Sequence, residues 1–407
     1  MHYFHWIAGT ILALAWFSRI VDAAIGMPSV ADISTPEWDR NPSGRLSSSG
    51  FPSGTLASGS LPFASPRVSI IVPARNEEAD IELTLTTLLA LDCDNYEVIA
   101  VNDRSTDRTG EIMEAVAAKA AATRLRVLHH RELPAGWLGK THAMWTAANA
   151  ASGDWLLFTD ADVLFKPDSL RRALAYAESE QADHLVVFPQ MIMKSPGEFM
   201  MIAFFQTMFV FGHRPWKVAD PKSKDHMGVG AFNLIRRSAY DAVGTYAALR
   251  MEVLDDMKLG KVVKNSGFAQ RNVFGGDLIS LRWARGAKGV VDNLTKNFFA
   301  VLSFQWWRTL ISAFGLAFLN LMPFLGVWLA HGWERLPYAI ALGSMFAIYV
   351  GMSWRSRVPP YYFLLHPVST VVFVYTLLLS MCHALWNDGI IWRGTRYPLE
   401  ELRKGMV

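Results

Sequence analysis

A chain of 407 residues with 51% hydrophobic content, 15 tryptophans, 24 phenylalanines and a positive mean hydropathy is too apolar for an ordinary soluble enzyme. Its 18% charged residues are too many for a protein buried wholly in lipid, so a mixed architecture follows. A net charge of +3 gives no basis for a nucleic-acid partner, and two distant cysteines, Cys93 and Cys382, argue against a disulfide framework or a cysteine metal site.

Ile7 to Ile25 form the first apolar segment, interrupted by Ser18, Arg19 and Asp22. It lacks basic residues ahead of it and has only Ala23-Ala24 as a weak cleavage site, so residues 1–26 are expected to be a retained membrane anchor. From Met27 to Pro66 half the positions are Ser, Pro or Gly, the composition of a flexible tether. A domain over 67–297 is expected next. Val68 to Val72 reads as a buried strand, and Ile81, Leu85, Leu88 and Leu89 then share one helix face. Val98 to Val101, Leu125 to Leu128 and Trp155 to Phe158 are the following strands, with Ala-rich helical stretches between them. Strands alternating with helices predict an α/β fold, a mainly parallel sheet covered on both faces.

Chemistry collects where those strands end, which is where open α/β sheets bind ligands. After the fourth strand, Asp160 and Asp162 stand one residue apart and can converge on one side. Two hard oxygen ligands at an open edge suit Mg²⁺ or Mn²⁺, with water and phosphate oxygens filling the other positions. A solvated Asp-rich turn is the alternative. Asp103, after the second strand, either accepts a hydrogen bond from a nucleobase or ribose, or caps a helix starting near Thr106. Lys140 opens the helix through Ala143, Ala147 and Ala150, where its charge can meet a diphosphate.

Glu198 to Trp216 is apolar on all sides, short for a span and followed by His213, Arg214 and Lys217. It reads equally as an interfacial helix or a buried domain helix, with Met200, Phe204, Phe205 and Phe209 near an apolar acceptor in either case. The acidic pair Asp255-Asp256 begins a helical stretch, whose N-terminus favours a charged carboxylate; a plain helix cap is the alternative. Residues 298–390 carry further apolar segments: Trp306 to Ala330 is long enough to span, Tyr338 to Trp354 is marginal, and Tyr361 to Trp386 is a good span despite Pro367. Arg308, Arg355 and Arg357 are expected on the cytoplasmic side, with the 67–297 domain, of a cell (inner) membrane that the chain crosses several times. Three spans would put Arg393, Arg396, Arg403 and Lys404 of the 391–407 tail outside, against the same rule. One C-terminal segment is therefore expected to be re-entrant or interfacial, with the one broken by Asn320 and Pro323 as the first choice.

The runs VSIIVPARNEE, VNDRSTD, GWLGKTHAMWTAANAASGDWLLFTDADV and VLDDMKLGKVV, in this order, resemble family 2 inverting glycosyltransferases of the GT-A fold over Arg67 to Asn297. GWLGK ahead of DAD, with one anchor before the domain and apolar segments after it, is similar to hopene-associated and carotenoid glycosyltransferases. The ending IIWRGTRYPLEEL resembles ceramide glucosyltransferases. The resemblance implies that Ala74, Arg75, Glu77 and Asp103 hold the nucleoside, that Lys140 and Asp160 hold the diphosphate and ribose, and that Asp162 binds the metal with Asp160 beside it. It makes Asp256 the base, with Asp255, Arg282 and Trp283 on the acceptor side.

The implied activity is transfer of a sugar from a nucleoside diphosphate, first of all a UDP-sugar, to the hydroxyl of a lipid such as a hopanoid, carotenoid or sphingolipid. Transfer to polyprenyl phosphate, and an inactive membrane scaffold that binds nucleotide sugars, are the alternatives; a sugar nucleotidyltransferase lacks its Gly-rich loop here. Two positions depart from the family pattern. Ile279 stands where a Gln or Arg precedes the x-Arg-Trp ending, and Gly244-Thr245 replaces a glycine pair, where a different loop conformation is expected.

Overall fold

The computed structural model describes residues 2–39, 66–121 and 124–406. Helix α1 (His2–Gly26) is followed, after 40–65, by β1 (Val68–Ala74), α2 (Ile81–Leu89), β2 (Tyr96–Asp103), α3 (Thr109–Lys119), β3 (Leu125–His130), α4 (Gly139–Ala150) and β4 (Trp155–Phe158). Next come β5 (Val163–Phe165), α5 (Ser169–Ser179), β6 (His184–Phe188), β7 (Gln190–Met191), α6 (Pro196–Gly212), β8 (Asn233–Arg236), α7 (Arg237–Ala242), α8 (Asp255–Asn265), β9 (Gln270–Phe274) and β10 (Ile279–Leu281). Helices α9 (Gly286–Val301), α10 (Trp306–Leu329), α11 (Arg335–Ser356) and α12 (His366–Trp386) lead to a hairpin, β11 (Gly389–Trp392) and β12 (Thr395–Pro398), and a last helix α13 (Leu399–Lys404).

The central sheet has seven strands in the order β3-β2-β1-β4-β8-β6-β9, parallel except that β8 runs against both neighbours. Its apolar runs are continuous because both faces are covered. Ile70, Val72, Val98 and Ala100 pack with residues of α2, α3 and α5, while Ile71, Ile99 and Val101 pack with α4, α7 and α8. A second, three-stranded sheet, β5-β10-β7, lies beyond the carboxyl end of β4. The predicted α/β sheet is therefore present, and all four predicted strands are found.

The expected tether is tied to the domain over its first part. Ile33 is fully buried, its N–H donates to Phe274 O at 2.9 Å, and the Arg172 guanidinium donates to Ser34 O at 2.7 Å. Burial of one apolar side chain and capture of main-chain carbonyls outweigh the Ser/Pro content locally. The rest of the expected tether, 40–65, lies outside the described residues. The domain boundary expected at 297 falls inside α9, which continues to Val301.

Among the described residues four helices are long and apolar enough to cross a membrane: α10, and α1, α11 and α12 with their flanking turns. Helices α1 and α11 run the same way, since Gly9 meets Pro337 and Tyr338, and Asp32 just beyond α1 pairs with Arg355 at 3.4 Å. The polar residues inside α1 are matched, with Arg19 pairing Asp22 and Trp216 Nε1 donating to Asp22 at 3.3 Å. Helix α10 is continuous through Pro323, so the segment picked in the sequence as broken is not. Helix α12 behaves differently from the other three. It begins inside the bundle, where His366 bonds Asn320 at 2.9 Å and Tyr349 at 3.0 Å, and its far end feeds the hairpin against the sheet domain. Between bundle and sheet lies α6, with Met201, Ile202, Ala203 and Phe204 buried, which makes it a buried helix. Phe204 is closed off by Phe373 and His366, and so is not available to an acceptor.

Candidate active site

The parallel registers bring the ends of β1, β2 and β4 to one edge: Ala74 pairs with Asn102, and Ile71 with Phe158. Loops after these strands are stitched together, Asn76 Oδ1 accepting from Thr106 N at 2.8 Å and Glu77 N donating to Thr109 Oγ1 at 2.8 Å. A cavity of about 180 Å³ opens at this edge. Ala74, Arg75, Glu77, Asp103, Lys140, Asp160, Asp162 and Trp283, all expected at the site, line it.

Asp103 is 3% exposed and held by both arms of Arg104 at 2.8 and 2.9 Å. It caps no helix, because α3 starts only at Thr109. The first residue of α4 must be glycine, since a Cβ on Gly139 would lie 2.3 Å from Asp103 Oδ2. Lys140, the next residue, reaches Asp160 Oδ1 at 2.8 Å and Asp255 Oδ2 at 3.5 Å. Burial works against the charged ammonium of Lys140, but the carboxylates around it win and hold it protonated. Burial also pushes Asp160 up, yet Lys140 overrides this and holds its carboxyl below the usual range.

Asp162 has no such cation. Burial, then the charges of Asp160 and Glu77, push its carboxyl up to about 7. An excess of negative charge at an enclosed carboxylate is relieved by a cation, so the residues fit a divalent metal. No cluster of three or more His, Cys, Asp or Glu suited to a metal occurs among the described residues, which leaves the remaining coordination positions to substrate oxygens and water.

Asp255, 4% exposed, faces Lys140, and burial followed by Asp256 and Asp160 raises its carboxyl to about 7 in spite of that lysine. Asp256 is less enclosed; its Oδ1 accepts from Met257 N at 2.7 Å, which fixes it at the first turn of α8. Neither lines the cavity as found; they stand behind Lys140 and Asp160. Two glycines that the sequence reading passed over make this packing possible. A Cβ on Gly230 would lie 2.4 Å from Asp160 Oδ2, and one on Gly228 1.9 Å from Asp256 O. Ahead of Asp255-Asp256, Gly244 has φ 89° and Thr245 φ 59°, both left-handed, a strained conformation for a β-branched residue.

Arg282, expected on the acceptor side, is turned away. It pairs at 2.7 Å with Glu198, which is buried and also accepts from Gly286 N at 2.8 Å and Lys194 N at 2.8 Å. Its place in the cavity wall is taken by residues the sequence reading did not single out: Asn293, Lys296 and Asn297 of α9, and Trp392, Arg393 and Tyr397 of the hairpin. Arg393 pairs with Glu77, Thr395 accepts from Arg75 at 3.1 Å, and Tyr397 Oη accepts from Gly139 N at 3.2 Å. The run IIWRGTRY was visible, but nothing in its spacing points to residues 316 positions away.

Residues 69–256 match the model of glycosyl transferase family 2. The chain is 25% identical over 233 residues to the 4,4'-diaponeurosporenoate glycosyltransferase of Staphylococcus haemolyticus strain JCSC1435, a match spanning 56% of this chain and 60% of that enzyme. It is 23% identical over 357 residues to the enzyme of the same name from Staphylococcus aureus strain MRSA252, covering 85% of this chain and 92% of that one. In fold it is similar to the mannosyltransferase PcManGT from Pyrobaculum calidifontis, solved with GDP-Man and Mn²⁺, with a TM-score of 0.53 and 17% identity over 94% of this chain and 99% of that one. The sheet order, with one antiparallel strand inside a parallel sheet, is thus that of a GT-A fold.

Proposed function

We propose, from the match of residues 69–256 to the model of glycosyl transferase family 2, that this protein moves a sugar from a nucleoside diphosphate to the hydroxyl of a membrane lipid, with inversion at the anomeric carbon. The observation that carries the lipid part is the construction of the cavity wall. Helix α9 gives Asn293, Lys296 and Asn297 to the cavity, while Phe298 packs on Phe373 and Thr295 O accepts from Ser380, both of α12. A lipid can therefore present its head to the donor without leaving the apolar layer. The staphylococcal relatives are named for 4,4'-diaponeurosporenoate, which supports an apolar carotenoid-type acceptor, although that named compound carries a carboxylate rather than a hydroxyl.

In this reading the bond from the anomeric carbon to the diphosphate oxygen breaks with its electron pair going to the diphosphate. The acceptor oxygen forms the new bond, and its proton passes to Asp256. Asp255 is committed to Lys140, which leaves Asp256 the freer of the pair. Ala74, Arg75, Glu77 and Asp103 flank the nucleoside, and Asp160 with Lys140 positions the diphosphate. Asp162 and Asp160 would hold Mg²⁺ or Mn²⁺, which when bound offsets charge on the leaving group. The catalytic domain lies on the cytoplasmic side, with α1, α10 and α11 crossing the membrane.

The test is mass spectrometry of lipids from membranes of cells with and without this protein, followed by the purified chain incubated with UDP- and GDP-sugars and the lipid extract. A lipid heavier by one hexose unit, absent with Asp162→Asn, is the expected result. Sugar appearing only on polyprenyl phosphate, or a bound nucleotide sugar that is never consumed, would favour one of the two alternatives.

A further inference from the structure

The cavity holds more positive charge than the strand-end motifs supply. Lys140 is matched by Asp160 and Asp255. Arg282 is held by Glu198 outside the cavity. Lys296, by contrast, has no carboxylate within ion-pair distance among the described residues, and its ammonium lies 4.7 Å from the ring centroid of Trp392. Burial, then repulsion from Lys140, works against its charge. A half-buried ammonium in a polar cavity with an aromatic face beside it gains when an anion joins it.

Arg393, paired with Glu77, is the second cation of this wall. It stands at the turn of the β11–β12 hairpin with φ 47°, followed by Gly394 at φ 76°, so the turn projects it over the cavity. Its partner, Glu77, is one of the residues expected to face the nucleoside. The cavity of about 180 Å³ is smaller than the roughly 300–1,000 Å³ usual for ligand pockets, and the hairpin with its Arg393–Glu77 pair forms one wall of it.

Resting on the donor reading above, we propose that Lys296 and Arg393 grip the diphosphate of the donor, Arg393 leaving Glu77 for a phosphate oxygen as the hairpin closes behind it. The two residues lie outside the family-matched segment, at 296 and 393. Guanidinium and ammonium donate charge-assisted hydrogen bonds to phosphate oxygens, and both gain from the low-dielectric wall of the cavity. The hairpin is then a strap that senses whether a diphosphate is present.

The experiment measures binding of UDP, GDP and their parent nucleosides to the full chain in detergent. With the nucleotide that the wild type prefers, Lys296→Met and Arg393→Gln should each weaken diphosphate binding about ten- to hundredfold and leave nucleoside binding unchanged. Lys296→Arg, which keeps the charge, should retain most of the affinity. Unchanged diphosphate binding in both variants overturns the inference. So does an equal loss for diphosphate and nucleoside, which would mark a structural role. A wild type that binds neither UDP nor GDP instead sinks the donor reading itself.

Discussion

Asp162 differs from Asp160 by one missing neighbour. Lys140 sits 2.8 Å from Asp160, whereas Asp162 faces other carboxylates and is pushed up to about 7. A proton therefore competes with a metal ion at Asp162: Mn²⁺ binding should weaken about tenfold for each pH unit below 7 and release a proton on binding, as titration calorimetry in buffers of different ionisation enthalpy would reveal. Affinity that is flat from pH 5 to 8 contradicts this. The same shift sets a stability trend. A carboxyl raised from 3.8 to about 7 on folding keeps its proton where the unfolded chain has lost it, so its contribution is fully present below 3.8 and lost as pH rises to about 7. In chelator the melting temperature should thus fall across that window, and Mn²⁺ should recover part of it. At the neighbouring pair, Asp256→Asn should lower turnover by about 10²- to 10⁴-fold with donor affinity little changed. Steady-state kinetics with direct donor binding decides it, and near-normal turnover would pass the role to Asp255. Asp103, Asp160 and Asp162 stood out in the sequence because a strand that ends on a carboxylate leaves a local pattern. What those carboxylates touch was not, since Lys140 to Asp255 closes over more than a hundred residues.

Elements were legible where one rule dominated. Continuous apolar runs gave β1 to β4 because both faces of a parallel sheet are buried. Strands β5, β7 and β10 have 3, 2 and 3 residues, too short for any period, and they escaped. The Arg282 pairing was not legible for a related reason: a motif names a residue type, while direction depends on what lies opposite, and Glu198 lies opposite. That carboxylate accepts from Arg282, Gly286 N and Lys194 N while fully buried, and these bonds hold it down to about 2 even though burial opposes them. Glu198 thus ties the start of α6 to the start of α9. Glu198→Ala should lower stability by about 1–3 kcal/mol, less than for a pair buried on both sides, because Arg282 can still reach water. Thermal unfolding in detergent should show the drop with nucleotide affinity per folded molecule preserved. Loss of affinity at full stability would return Arg282 to the site.

The whole molecule is a sheet domain standing on a bundle, and the course of α12 fixes how the two are joined. Exposed tryptophans mark both ends of the apolar layer: Trp354 and Trp386 at 87% and 90% on the domain side, Trp328 and Trp333 at 84% and 78% on the other. Helices α1 and α11 run toward the domain and α10 away from it, so three crossings leave the domain and Arg355 together. Helix α12 then starts at His366 among Trp16, Asn320 and Tyr349, within the layer, and ends beside a hairpin that touches Glu77. A fourth crossing would carry Arg393, Arg396, Arg403 and Lys404 away from the site they help to build. With α1, α10 and α11 crossing as proposed, α12 becomes the re-entrant segment expected from the charge pattern, and its polar start is tolerated because Asn320 and Tyr349 satisfy His366 inside the bundle. In a chain with Cys93 and Cys382 replaced by Ala, single cysteines introduced by Lys258→Cys, Arg403→Cys and His331→Cys should react with a membrane-impermeant maleimide from two sides. Positions 258 and 403 should label together, only after the cytoplasmic face is opened, and 331 from the opposite face. Labelling of 403 with 331 would make α12 a crossing helix, detach the hairpin from the cavity and remove the basis for a strap over the donor.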